Sequence, residues 1–109
     1  MTVSDLIKDS GLTPVTLPSP DREINGVYIG DLLSWVMGRA GADSAWITIM
    51  SNINVIAVAT LADVACVILA EGVTPDGELV KTAEAKGVNL ISSSLPTYET
   101  AMKLSRYQI

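Results

Sequence analysis

Three short apolar runs constrain this chain more than any other feature. Ala45-Trp46-Ile47-Thr48-Ile49-Met50, Ala65-Cys66-Val67-Ile68-Leu69 and Val88-Asn89-Leu90-Ile91 are mostly apolar and partly β-branched, with no regular apolar/polar alternation. A strand with one wet face alternates, whereas a strand covered on both faces does not, so these runs read as neighbouring strands of a buried parallel sheet. Parallel neighbours need a crossover of about a dozen residues, usually helical, and a helix-length segment follows each run. After the second, Thr74-Pro75-Asp76-Gly77-Glu78 supplies an N-cap, a proline for the first helical position and acids for the first turn; Leu79, Val80 and Ala83 face inward and Gly87 ends the helix. After the third, Ser94 to Thr97, with Pro96, start a last helix with Tyr98, Ala101, Met102 and Ser105 on one face.

The crossover between the first two runs is the ambiguous one. Ile53 to Ala62 is rich in β-branched residues, which favours a strand on propensity, but Ser51 to Val64 has crossover length and Ser51 or Asn52 can cap it. Topology therefore predicts a helix. Such a helix is apolar around nearly its whole circumference and needs cover on both sides, one from the sheet and the other from a second subunit. Ile53, Ile56, Ala57 and Leu61 are its candidate outward contacts, with Trp35 beside them.

Upstream, Thr2 to Asp9 predicts a short helix capped by Thr2 or Ser4, with Leu6 and Ile7 inward and Gly11 as its stop. Pro14, Pro18 and Pro20 leave only an extended edge segment around Val15 to Leu17. Glu23 to Ile29 completes an edge strand pair, with Gly26 marking a bulge or a close backbone approach. Asp31 opens a helix from about Leu32 to Arg39 with Leu32, Leu33, Val36 and Met37 as its stripe, ended by Gly38 and Gly41; Trp35 on its flank either completes the core or serves an interface. The expected fold is one α/β domain over residues 1–109, a three-layer sandwich with a mainly parallel sheet and helices on both faces.

Composition then narrows the function. Hydrophobic residues make up 49% of the chain beside 17% charged, and mean hydropathy is +0.40, so there is surplus apolar surface to cover. No apolar run approaches the roughly 18 residues of a membrane span, because Asn52, Asn54 and Asp63 interrupt the richest stretch. Met1 to Asp9 does not read as a secretory signal. A cytoplasmic protein with a protein partner, not a membrane, is the expectation. Net charge is -5 and the seven basic residues are scattered, which argues against nucleic acid. There is no histidine, so the commonest general base and metal ligand are both missing; no P-loop or Gly-x-Gly-x-x-Gly motif occurs; and Cys66 inside its apolar run reads as a buried hydrophobe. No catalytic residue, metal site or cofactor is expected. Asp31, Asp43, Asp63, Glu71 and Asp76 fall at element ends, where capping explains them. A carboxylate enzyme would need Glu71 or Asp63 buried in a cleft.

A small ligand would bind where parallel strands end and helices begin. That rim draws on Ser51, Asn52 and Asn54 after the first run, Glu71, Gly72 and Thr74 after the second, and Ser92, Ser93, Ser94 and Thr97 after the third. These groups suit a phosphate compound or nucleotide, and equally suit caps and turns. No lysine or arginine is expected on this rim.

Ile24-Asn25-Gly26-Val27-Tyr28-Ile29-Gly30-Asp31-Leu32-Leu33-Ser34, Val67-Ile68-Leu69-Ala70-Glu71-Gly72-Val73-Thr74-Pro75-Asp76, and Ala83 to Gly87 leading into Val88 to Thr97 resemble the DRTGG domain family. The chain is similar to the amino-terminal domain of HPr kinase/phosphorylase and to domains beside CBS pairs in some pyrophosphatases and in phosphotransacetylases. The resemblance implies an α/β fold, frequent homodimerisation and an accessory, often regulatory role in carbon or energy metabolism, without the separate P-loop domain that carries the kinase chemistry. At the start of the crossover helix, Ser51-Asn52-Ile53-Asn54 stands where the family has its Asp-Arg signature.

Overall fold

The computed structural model describes residues 1–107 and 109. The three apolar runs become β3 (Ser44–Thr48), β4 (Cys66–Leu69) and β5 (Leu90–Ser92), which lie side by side and parallel, with Ala45 opposite Cys66 and Val67 opposite Leu90. Successive side chains leave a strand on opposite faces. Trp46, Val67, Leu69 and Leu90 accordingly enter one core and Ala45, Ile47, Cys66, Ile68 and Ile91 the other. β2 (Gly26–Ile29) adds in parallel to β3, and β1 (Thr13–Thr16) pairs antiparallel with β5, giving the order β1-β5-β4-β3-β2.

The two amino-terminal strands are therefore not an edge pair; they occupy opposite edges. The prolines between them favour an extended path over a hairpin, and this path is fastened along its length. Backbone N–H groups of Val3 and Ser4 donate to the carbonyls of Arg22 and Pro20, and that of Asn25 donates to Asp43. The side chain of Asn89, 1% exposed, brackets Ser19 by accepting from its N–H (2.9 Å) and donating to its carbonyl (2.7 Å). No bulge falls at Gly26, since β2 and β3 stay in register throughout; the break falls between Pro14 and Thr16 of β1.

From β2 to β5 the chain moves across the sheet in one direction. Right-handed crossovers then place every connecting helix on the same face, and α2 (Leu33–Arg39), α3 (Asn54–Ala62) and α4 (Gly77–Lys86) share one core. The other face is closed by α1 (Val3–Ser10) and α5 (Thr97–Leu104), whose Val3, Leu6 and Leu104 join the second core. Helices thus cover both faces of a mainly parallel sheet, and the crossover after β3 is helical because its length and position override strand propensity.

Local details differ from expectation in four places. α4 is capped by Asp76, which accepts from Leu79 N (2.8 Å), so Pro75 precedes the helix instead of opening it. Asp31 does not cap α2; its carboxylate accepts from Thr48 Oγ1 and Ile49 N, tying the end of β3 to the start of α2. Only Val36 of the α2 stripe is buried, while Leu32 and Met37 are exposed. On α5 the sheet-facing residues are Thr100 and Leu104, and Tyr98 and Met102 face outward.

Candidate functional site

Adjacent strands β4 and β5 send their connections to opposite faces, β4 to α4 and β5 to α5. Where neighbouring connections diverge like this, a crevice opens beyond the strand carboxyl ends, the usual ligand position in open α/β sheets. Its walls are laced together: Glu71 N donates to Leu95 O (2.8 Å) and Gly72 N to Ser93 O (2.9 Å). Glu71 (φ 63°) and Gly72 (φ 69°) both take the left-handed conformation. For Glu71 this costs conformational energy, and the position is held in part because its carboxylate accepts from Thr97 N (2.6 Å) at the start of α5.

Two cavities meet at this end. One, of about 240 Å³, is lined by Thr13, Gly72 to Pro75 and Ser92 to Ser94. The second, of about 190 Å³, is lined by Gly11, Leu12, Thr13, Ser92 to Leu95 and Lys103. Thr13 and the Ser92–Ser94 segment are common to both.

Of the rim residues read from sequence, Gly72, Thr74, Ser92, Ser93 and Ser94 meet here, with Glu71 and Thr97 bonded to each other alongside. Ser93 is buried and its hydroxyl is engaged with Thr100 Oγ1 (2.8 Å) and Leu95 N (3.2 Å), so it braces the crevice. Ser51 and Asn52 line neither cavity; Asn52 Oδ1 instead accepts from Asn54 N (2.9 Å), shaping the turn into α3. Asn54 lies on the outer flank of α3. Two polar side chains of the lining escaped the sequence reading. Thr13 arrives from the antiparallel edge strand, and Lys103 from the last turn of α5, where its ammonium donates to Ser10 O (2.8 Å) at the end of α1. Neither lies in the turn that directly follows a parallel strand, so no local pattern marks them; only the topology brings them in.

A second surface lies on the three-helix face. A largely apolar groove of about 360 Å³ runs between α3 and α4, bounded by Ile53, Ala57, Thr60 and Leu61 and, on α4, by Thr82 and Lys86. Ile53 is 44% and Leu61 72% exposed. Ile56 differs: it is 1% exposed and belongs to the core, because it falls on the sheet-facing side with Val55 and Ala59. Trp35 on α2 is 52% exposed, with the Arg39 guanidinium stacked 3.7 Å from its ring centre.

The carboxylates at element ends have structural partners. Asp43 and Asp63 flank Arg22 at 2.9 and 2.8 Å, and Asp31, Glu71 and Asp76 accept the backbone bonds described above. Among the described residues no three His, Cys, Asp or Glu side chains gather into a metal-binding group, and no helix is long and apolar enough to cross a membrane. Burial pushes the Cys66 thiol up to about 12.

Fold and surfaces together define an α/β/α sandwich with a polar crevice at the sheet's carboxyl end and an apolar helix face on one side. The chain belongs to the DRTGG domain family, whose model matches residues 21–107. It is similar in structure to the CBS and DRTGG domains of the regulatory region of Clostridium perfringens pyrophosphatase, solved with the activator diadenosine tetraphosphate, with a TM-score of 0.73 at 11% identity. That likeness, one of fold, covers 94% of this chain and 45% of the other, so the chain spans less than half of that structure's length. No curated protein matches the chain.

Proposed function

We propose that this chain is a non-catalytic accessory or regulatory module of the cytoplasm that works as a homodimer, paired through the outer face of α3 and the adjoining flank of α2. The observation that carries this reading is the exposure of Ile53, Leu61 and Trp35 on the face that contains the apolar α3–α4 groove. A two-fold axis sets a surface against itself, so a charged stripe would meet its own charge. α3 has no charged residue from Asn54 to Ala62. Ile53, Ala57 and Leu61 form an i, i+4, i+8 ridge, with the small Ala57 allowing a second helix to come close. The link to carbon or energy metabolism rests on the family resemblance alone. Sedimentation at micromolar concentration should give a dimer and Leu61→Glu a folded monomer; a monomeric wild-type chain overturns the reading.

A second reading, sensing of a nucleotide or phosphate compound, is favoured by the crevice between β4 and β5. The structural relative was solved with a nucleotide activator, which makes diadenosine tetraphosphate and simpler adenine nucleotides the first compounds to try. A ligand that binds only the folded chain raises its melting temperature by mass action; no shift at saturating concentrations removes this reading and leaves the dimer standing.

A further inference from the structure

We propose that the smaller of the two crevice cavities is an anion subsite, in which Lys103, Thr13 and Ser94 receive the phosphate of a phosphomonoester whose organic body lies in the adjoining cavity over Val73 and Pro75. The proposal rests on the ligand-sensing reading and gives it a polarity and a ligand class.

Charge is the first argument. The chain has twelve acidic and seven basic residues, yet among the described residues no carboxylate lines either cavity and Lys103 is the one cation that does. An ammonium has three donor protons, of which the bond to Ser10 O uses one. That bond also steadies a half-buried lysine stem, so part of the ordering cost of binding is met before a ligand arrives. Hydroxyls supply the rest: Thr13, Ser92 and Ser94 line both cavities, and each can donate to a phosphoryl oxygen.

Size sets the ligand class. Cavities of about 190 and 240 Å³ each fall below the roughly 300 Å³ at which small-molecule pockets begin. A ligand that fills this site therefore uses both, which suits a phosphoryl group joined to a body the size of a nucleoside. The larger cavity is the less polar, with Val73 and Pro75 in its wall, and is the place for that body.

Lys103 also satisfies the carbonyl end of α1, and a purely structural role must be told apart from ligand binding. Lys103→Gln does so, because the glutamine amide can still donate toward Ser10 O but carries no charge. Backbone amide NMR titrations of the full chain with adenosine 5′-monophosphate, adenosine and inorganic phosphate, repeated for Lys103→Gln, Lys103→Arg and Thr13→Val, test the assignment. The monophosphate should perturb Thr13, Gly72 and Ser94 and bind more tightly than either adenosine or phosphate. Losing a charged donor to the phosphate, Lys103→Gln should weaken the monophosphate about 10- to 100-fold while adenosine changes little. Lys103→Arg should stay within a few-fold of wild type. Thr13→Val, on an exposed edge strand, should weaken binding without loss of fold, and decides the matter if Lys103→Gln does not fold. Monophosphate binding that survives both Lys103→Gln and Thr13→Val overturns the subsite and leaves the crevice reading intact; binding that maps to Ser51 and Asn52 overturns the subsite and the crevice, and leaves only ligand sensing. Phosphate binding as tightly as the monophosphate overturns the two-cavity ligand. No perturbation by any compound overturns the subsite and the sensing reading together.

Discussion

At the scale of single residues, the polar side chains that organise this molecule are the ones a sequence conceals. Asn89 interrupts the apolar run that leads into β5 and reads there as a flaw, yet its amide bonds to Ser19 twice and donates to Ala65 O at 2.9 Å. It joins segments seventy positions apart. Asn89→Ala leaves buried backbone groups unpaired, and urea unfolding should show a loss of about 3 kcal/mol, since each orphaned group costs about 1–3 kcal/mol. Arg22 was one scattered basic residue among seven; in the structure it holds Asp43 and Asp63, both at positive φ, in place. Cys66, by contrast, was legible, because a thiol inside a fully apolar run has little besides burial available to it. Above the ordinary value of 9.0 the unfolded chain loses the thiol proton while the folded chain keeps it until about 12. Stability should therefore fall as pH rises through that window by about 1.4 kcal/mol per pH unit. Alkaline urea titrations check this, and Cys66→Ala should remove that component of the slope.

Elements were legible wherever local chemistry and topology agreed. α1 has a complete capping box, in which Asp5 N donates to Thr2 Oγ1 (3.1 Å) and Thr2 N donates to Asp5 Oδ2 (3.0 Å), and Gly11 closes the helix in the left-handed conformation. Thr2→Ala should cost about 1 kcal/mol in thermal or urea unfolding. The Thr2 backbone and side-chain hydrogen bonds, in that order, hold the Asp5 carboxyl below its ordinary 3.8. The stabilisation they give is present above that value and disappears as pH falls through the lowered one. Asp5→Asn should make acid unfolding less steep in the range below about pH 4. α3 was legible for a different reason: propensity pointed to a strand, and crossover length decided otherwise. The outward face of α5 was not legible, because Tyr98 and Met102 look like core residues and only the position of the helix over the sheet shows that Thr100 and Leu104 face inward. The crevice was read at its parallel-strand ends and missed at Thr13 and Lys103, which reach it from an antiparallel strand and from a helix's far end.

For the whole molecule, the consequential fact is that the chain crosses its sheet in one direction. The apolar run pattern predicted a parallel sheet but not strand order, because pairings at the two edges depend on how the nine residues between β1 and β2 are routed. The same order distributes the exposed apolar surface unevenly, and it gives dimerisation an optical signature. Trp46 is wholly buried with its indole N–H bonded to Gly30 O at 2.9 Å, whereas Trp35 is half in solvent. Pairing over α2 and α3 should shield Trp35, so its emission should shift to the red on dilution through the dissociation range, and Leu61→Glu should show the red-shifted spectrum at every concentration. An emission maximum independent of concentration in the wild type, together with a monomer in sedimentation, counts against the pairing.

Because α1 and α5 close the same side of the sheet, Met1 and Ile109 both rest on the core beneath that side, turned away from the helical triplet. Cargo joined at either end, whether a fluorescent reporter, a surface linker or another folded unit, departs from the rear of the molecule. The front, with its groove, stays open, so a tag at either end and the proposed pairing would use different sides of the molecule.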